Sequence, residues 1–321
     1  MNRRTFLHRS SLATLASPAA LLAEPAAEPN SETLVKSLYD TLTEPQRSAL
    51  VFEFDDPLRT KIANNWHITE QRIGKYLTDD QNAMVREIFL DLHSEEYRDE
   101  VIGQVEHDSG RKGFGDSSIA IFGEPGTGKF EFVLTGRHCT RRVDGDSVAG
   151  KAFGGPIFYG HAAEGFREGP NHEGNVYWYQ AKRANGVFEM LDGKQRETAL
   201  LDDAPGDNAA TIRLKGQSEG LPGLAVSGMS ADQRGELRGV MDDLLLPFRE
   251  EDRKESMALV EKAGFENLHL SFYRDGDIGD DGVWDNWRLE GPHMVWYFRG
   301  SPHVHTWVHV SDPDVPRAPQ A

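Results

Sequence analysis

Trp287-Arg288-Leu289-Glu290-Gly291-Pro292-His293-Met294-Val295-Trp296-Tyr297-Phe298-Arg299-Gly300-Ser301-Pro302-His303-Val304-His305-Thr306-Trp307-Val308-His309-Val310 reads as three strands joined by two turns. Gly291-Pro292 and Gly300-Ser301-Pro302 supply the turn residues. The runs Trp287–Glu290, Met294–Arg299 and Val304–Val310 are rich in aromatic and β-branched side chains. The spacing predicts a small antiparallel meander. Side chains alternate along a strand, so His303, His305, Trp307 and His309 share one face, and Val304, Thr306 and Val308 the other.

Working outward, Leu268–Tyr273 and Thr211–Leu214 read as further strands, and Ser118–Phe122 and Lys129–Thr135 as a hairpin around Pro125-Gly126-Thr127-Gly128. The first third reads as helical. Leu34, Val35, Leu38 and Leu42 recur at helical spacing, Thr43-Glu44-Pro45-Gln46 restarts a helix, and Thr78-Asp79-Asp80-Gln81 opens an amphipathic one. Glu95–Val105, Tyr177–Leu191, Ala231–Leu246 and Glu250–Ala263 add four more helices. Helices, strands, helices, strands is an α+β order, not a regular alternation. The expectation is one α+β domain over 31–310. A helical lobe, 31–110, packs on a mainly antiparallel sheet, and a loose Pro-rich tail follows at 311–321.

Residues 1–30 read differently. Arg3-Arg4-Thr5-Phe6-Leu7, a mildly apolar run to Ala23 and a Pro-rich linker describe a signal peptide with adjacent arginines, the twin-arginine kind. The chain is therefore expected to meet the export machinery and to work in the periplasm or as a secreted protein. The apolar run is shorter than the about 20 residues a membrane span needs, and no later segment qualifies. Net charge is −17 before any leader is removed, which disfavours phosphate backbones and excludes nucleic acid as a partner. Cys139 is the single cysteine, so no internal disulfide, thiolate zinc site or iron–sulfur cluster can form.

Gly123-Glu124-Pro125-Gly126-Thr127-Gly128-Lys129-Phe130 imitates a phosphate-binding loop, but Phe130 stands where a hydroxyl must reach magnesium. A β-rich run follows instead of a helix, so the segment is read as a hairpin turn. No Gly-x-Ser-x-Gly elbow is present.

The histidines carry the chemistry. Of twelve, His293, His303, His305 and His309 fall within seventeen residues. His303-x-His305 on one strand face sets two imidazoles side by side, a common start of a metal site. His138, at the end of the Lys129–Gly136 strand, and His161, after the loop-like Gly154-Gly155-Pro156 approach, are the candidate further ligands. His172, His293 and His309 rank lower, and Asp144, Asp146 and Glu164 are acidic alternatives.

Leu134-Thr135-Gly136-Arg137-His138, Phe153-Gly154-Gly155-Pro156, Arg288-Leu289-Glu290-Gly291-Pro292 and His303-Val304-His305-Thr306-Trp307 together resemble an uncharacterised family of exported bacterial proteins, domain-of-unknown-function family 3500. The resemblance spans roughly residues 35–310. The first block in that family usually reads Gly-His-His, and Arg137 takes the middle position here. The resemblance supports His138, His303 and His305 as a set and implies no reaction.

The leading expectation is a metal-dependent enzyme. A transition ion (copper, iron or zinc) sits on His138, His303 and His305, completed by His161 or a carboxylate, and Arg137 orients an anionic substrate group. Export of a folded, loaded chain tilts this toward an oxidoreductase over a hydrolase. The alternative is a non-catalytic binder of a small-molecule or saccharide-like ligand. It would use an aromatic-lined surface of Trp178, Trp284, Trp287, Trp296 and Trp307 with Tyr177, Tyr179 and Tyr297. A third reading places calcium in the acidic loop Asp275–Gly282.

Overall fold

Helix starts follow the capping chemistry legible in the sequence. The computed structural model describes residues 30–279 and 281–315; the stretch expected to be a twin-arginine leader lies outside the described residues, as does the end of the Pro-rich tail. Asn30 accepts the Thr33 N–H at 3.0 Å and opens α1 (Ser31–Thr41). A Thr43–Gln46 capping box with Pro45 in the first turn opens α2 (Glu44–Leu50). After α3 (Ile73–Tyr76), reciprocal Thr78–Gln81 bonds of 3.0 and 3.2 Å start α4 (Asp79–Asp91), and α5 (Arg98–Asp108) follows. Later come α6 (Tyr179–Met190), α7 (Gly193–Ala199), α8 (Ala231–Leu244) and α9 (Glu250–Ala263).

The strands are β1 (Val51–Phe52), β2 (Ser118–Gly123), β3 (Phe130–Gly136), β4 (Cys139–Val143), β5 (Ile157–His161), β6 (Leu200–Leu201), β7 (Leu224–Ala225), β8 (His269–Tyr273), β9 (Asn286–Glu290), β10 (Met294–Arg299) and β11 (Val304–Val310). They join one mixed sheet in the order β1-β2-β3-β4-β5-β11-β10-β9-β8-β6, with β7 beside β8. Pairing is antiparallel except at β1–β2 and β6–β8. The fold is α+β, with the N-terminal helices packed on this sheet.

Strand alternation separates two faces. Ile119, Ile121, Phe132, Leu134 and Cys139 pack on Val35, Leu38, Val85 and Phe89 of the N-terminal helices. Tyr159, paired with Cys139 and so on the same face, continues this layer with Val304 and Val308 against Ala181, Val187, Leu237 and Val240. The opposite face is covered by irregular chain: Trp66 and Ile68 lie over Phe122 and Val133, and Ile212 and Leu214 lie over Phe158, Tyr297 and Trp307. Both faces are thus closed, and β11 lies between β5 and β10, well inside the sheet.

Several expectations are corrected here. Thr211–Leu214 is not a strand. Asn208 caps a 3-10 turn over Ala209–Ile212, and the Ile212/Leu214 pair that imitates alternation packs into one cluster. β4 and β5 escape sequence reading because β4 buries Arg141 and Arg142, and β5 lies between glycines and a proline. Most of the aromatic residues named for a binding surface are not at one; Trp284 and Tyr179 are half-buried. Trp178, Trp287, Trp296, Trp307, Tyr177 and Tyr297 are buried, because the sheet and its two covers consume them as core. Gly123–Phe130 is a hairpin end, with β3 following where a phosphate-binding loop needs a helix.

Candidate metal centre

Gly136 pairs with Cys139, so Arg137 and His138 form a two-residue turn between β3 and β4. His138 adopts φ 54, a left-handed conformation that disfavours a residue with a Cβ. The Asn65 side chain holds it there by accepting the His138 N–H at 2.8 Å. The imidazole is thereby set at the end of the sheet, where His303, just before β11, and His305, in it, arrive. His138 Nε2 lies 3.1 Å from His303 Nε2, which lies 3.1 Å from His305 Nε2. The ring centroids form a near-equilateral triangle with sides of 4.9, 4.9 and 4.8 Å. All three side chains are buried.

The outer nitrogens fix the protons. His303 Nδ1 is 2.8 Å from the Phe166 carbonyl oxygen, which can only accept, so Nδ1 carries the hydrogen. His138 Nδ1 lies 2.7 Å from Asp108 Oδ2, and His305 Nδ1 lies 2.7 Å from Asp207 Oδ2. Opposite ionised carboxylates these nitrogens also donate. Each Nε2 then presents a bare lone pair, and the three lone pairs converge within 4.8 Å, those of His138 and His305 each 3.1 Å from that of His303 with no hydrogen between them.

Protonation does not relieve this at neutral pH. Burial pushes His303 down to about 4 and His305 down to about 3, and it lowers His138 as well. A cation does relieve it. For metal–nitrogen bonds of about 2.05 Å, ligands lie about 3.3 Å apart in a tetrahedron and about 2.9 Å apart at 90°, and the observed 3.1 Å falls between. His138, His303 and His305 form a group that could hold a metal ion.

Two carboxylates orient the rings. Asp108 ends α5, where the helix dipole disfavours negative charge. It is compensated by Gln104 Nε2 at 2.8 Å and His138 on Oδ2, and by His161 Nδ1 at 3.0 Å and the Ala162 N–H at 3.2 Å on Oδ1. Burial would raise its pKa, but the bonds from His138 and His161 outweigh burial and hold it well below the usual carboxylate range. Asp207 accepts from His305, from Asn64 at 2.8 Å, from Arg299 at 2.9 Å and, on its other oxygen, from Trp307 Nε1 at 3.0 Å. Its pKa is depressed in the same way, burial being outweighed by the His305 bond and charge. Carboxylate–histidine pairs of this kind fix tautomer and ring direction in metal sites.

The structure separates the remaining candidates. His161 ends β5, a strand rather than a loop, and turns to the far oxygen of Asp108, away from the three Nε2 atoms. With His107 and Asp108 it makes a second close group, but Asp108 Oδ1 there is already occupied by two donors. His309 is half-buried and bonds the Ile212 carbonyl, and His172 pairs with Asp285 at 3.0 Å. Glu164 accepts backbone N–H groups of its own loop, and Asp144 and Asp146 lie past the opposite end of β4. Asp275–Gly282 contributes no such ligand group among the described residues. Arg137 is exposed, next to His138 in the turn. Sequence reading missed Asp108, Asp207 and the Phe166 carbonyl. The adjacent His107-Asp108 at a helix end offered a weak signal for the first; nothing marked Asp207 among 52 acidic residues.

The family model described as "Protein of unknown function (DUF3500)" matches residues 26–314. The chain belongs to that family. The matched region of this DUF3500 chain includes all three histidines and both orienting carboxylates. No curated protein and no solved structure matches the chain.

Proposed function

We propose that this DUF3500 protein is an exported, metal-dependent enzyme whose ion is carried by His138, His303 and His305. The observation that supports this best is the convergence of three Nε2 lone pairs whose Nδ1 atoms are each anchored to an oxygen. Three neutral imidazoles leave a divalent ion its full charge, the condition for Lewis-acid activation of water at neutral pH. That favours zinc and a hydrolytic reaction on geometry. Copper or iron on the same ligands supports the oxidoreductase reading that folded export suggests. Arg137 borders the site and is suited to orient an anionic group.

Elemental analysis of protein exported through its own leader, purified without chelating resin, tests the centre. The expected result is about one equivalent of a transition metal, absent from His303→Ala/His305→Ala. A well-folded native sample without metal would overturn the reading, and the element found selects hydrolytic or redox assays. Export rests on Arg3-Arg4 and the apolar run after it. Replacing both arginines by lysine should retain the chain in the cytoplasm; unchanged export would refute that part.

A further inference from the structure

Two exposed groups border the three nitrogens. The first is Arg137. It shares the β3–β4 turn with His138, and its guanidinium makes no hydrogen bond or ion pair with the described residues. In a chain of net charge −17, where most arginines near carboxylates are paired, a solvent-facing guanidinium beside a cation site attracts anions only. Its charge is felt at both His138 and His303.

The second is Phe166. Its ring is 68 % exposed, yet it is not a stray surface residue. Its carbonyl fixes the His303 tautomer, and its ring meets the His303 imidazole edge-on at 5.5 Å. The loop around it is tied down on either side. The Glu168 N–H donates to the Pro302 carbonyl at 2.8 Å, and the Glu168 carboxylate accepts the Ala163 N–H at 2.7 Å. The aromatic face is thus held in place beside His303, with solvent on its free side.

We propose that the site takes a small organic carboxylate bearing a flat apolar group. Arg137 receives the carboxylate and Phe166 stacks on the apolar face. This deepens the metal-centre reading and rests on it for the role of the bound molecule. A planar guanidinium matches a carboxylate through two parallel N–H···O bonds, so one guanidinium suits one carboxylate. An exposed aromatic face beside His303 rewards a second flat ring by offset or edge contact.

The test uses benzoate, its neutral isostere benzamide, and acetate, titrated calorimetrically into full-length exported protein whose metal content is measured on the same samples. Benzoate should bind at least about tenfold more tightly than benzamide, the worth of a charge-assisted pair, and more tightly than acetate. Arg137→Gln should abolish the benzoate–benzamide difference, and Phe166→Ala the benzoate–acetate difference, both with native metal content. Equal affinity for benzoate and benzamide, or variants that bind benzoate as the native protein does, would overturn the proposal. Metal without discrimination refutes the carboxylate inference alone. Discrimination without metal supports it and refutes the metal centre.

Discussion

Asp108→Asn isolates the orienting role of a carboxylate without changing side-chain size. The carboxylate accepts on both oxygens: His138 and Gln104 on one, His161 and the Ala162 N–H on the other. An amide has one accepting oxygen. If that oxygen stays with Ala162, its NH2 faces His138 Nδ1. The His138 proton then moves to Nε2 and removes a lone pair from the centre. If it stays with His138, the NH2 confronts the Ala162 N–H, and the turn after β5 must shift. Loss of such an orienting partner weakens metal binding by about 10- to 100-fold, or about 1.4–2.7 kcal/mol. Competition against a chromophoric chelator reads this directly, with circular dichroism confirming the fold. Asp144→Asn is the control, because that half-buried carboxylate lies past the far end of β4 and should leave metal affinity unchanged. If Asp108→Asn binds metal within twofold of the native protein, the carboxylate does not set the His138 tautomer, and the argument from converging lone pairs fails.

Three further outcomes are expected. Glu131 is fully buried in β3 between Arg59 and Arg142, so Glu131→Gln leaves two guanidinium groups without a counter-charge and should cost about 3–5 kcal/mol in urea unfolding; a loss below about 1 kcal/mol would contradict that ledger of charges. Burial lowers His305 to about 3 and His309 to about 4, so the unfolded chain binds more protons than the folded one below its ordinary histidine pKa of about 6.5. Stability of the metal-free protein, full above pH about 6.5, should therefore fall as pH drops toward 4, by about 1.4 kcal/mol per pH unit for each such histidine, and equal urea midpoints at pH 7 and 5 would refute it. Adding a chelator to metal-loaded protein should lower its melting temperature, whereas His303→Ala/His305→Ala should melt at the same temperature with or without chelator; a chelator-insensitive native protein would show that the ion does not stabilise the fold.

The sequence by itself determined much of the frame. Capping residues at Thr43 and Thr78 mark helix starts that the structure reproduces, because a cap acts within three residues. The period of two along 303–310 placed His303 and His305 on one face, because strand geometry is local. It misread β4, where buried Arg141 and Arg142 look like surface residues until Glu131 and the Phe158 carbonyl are seen to satisfy them. The aromatic residues looked like a binding face because one sequence cannot say which strands will be covered on both sides. The rest of the centre has no local signal. His138 is 165 residues from His303, and Asp207 is 98 residues from His305. Their meeting depends on β11 entering the sheet beside β5, and on a strained turn lifting one imidazole over the sheet's end. Periodicity fixed which way two histidines point. Only the tertiary structure decided what they point at, because that contact is made by chain segments with no short-range reason to be neighbours.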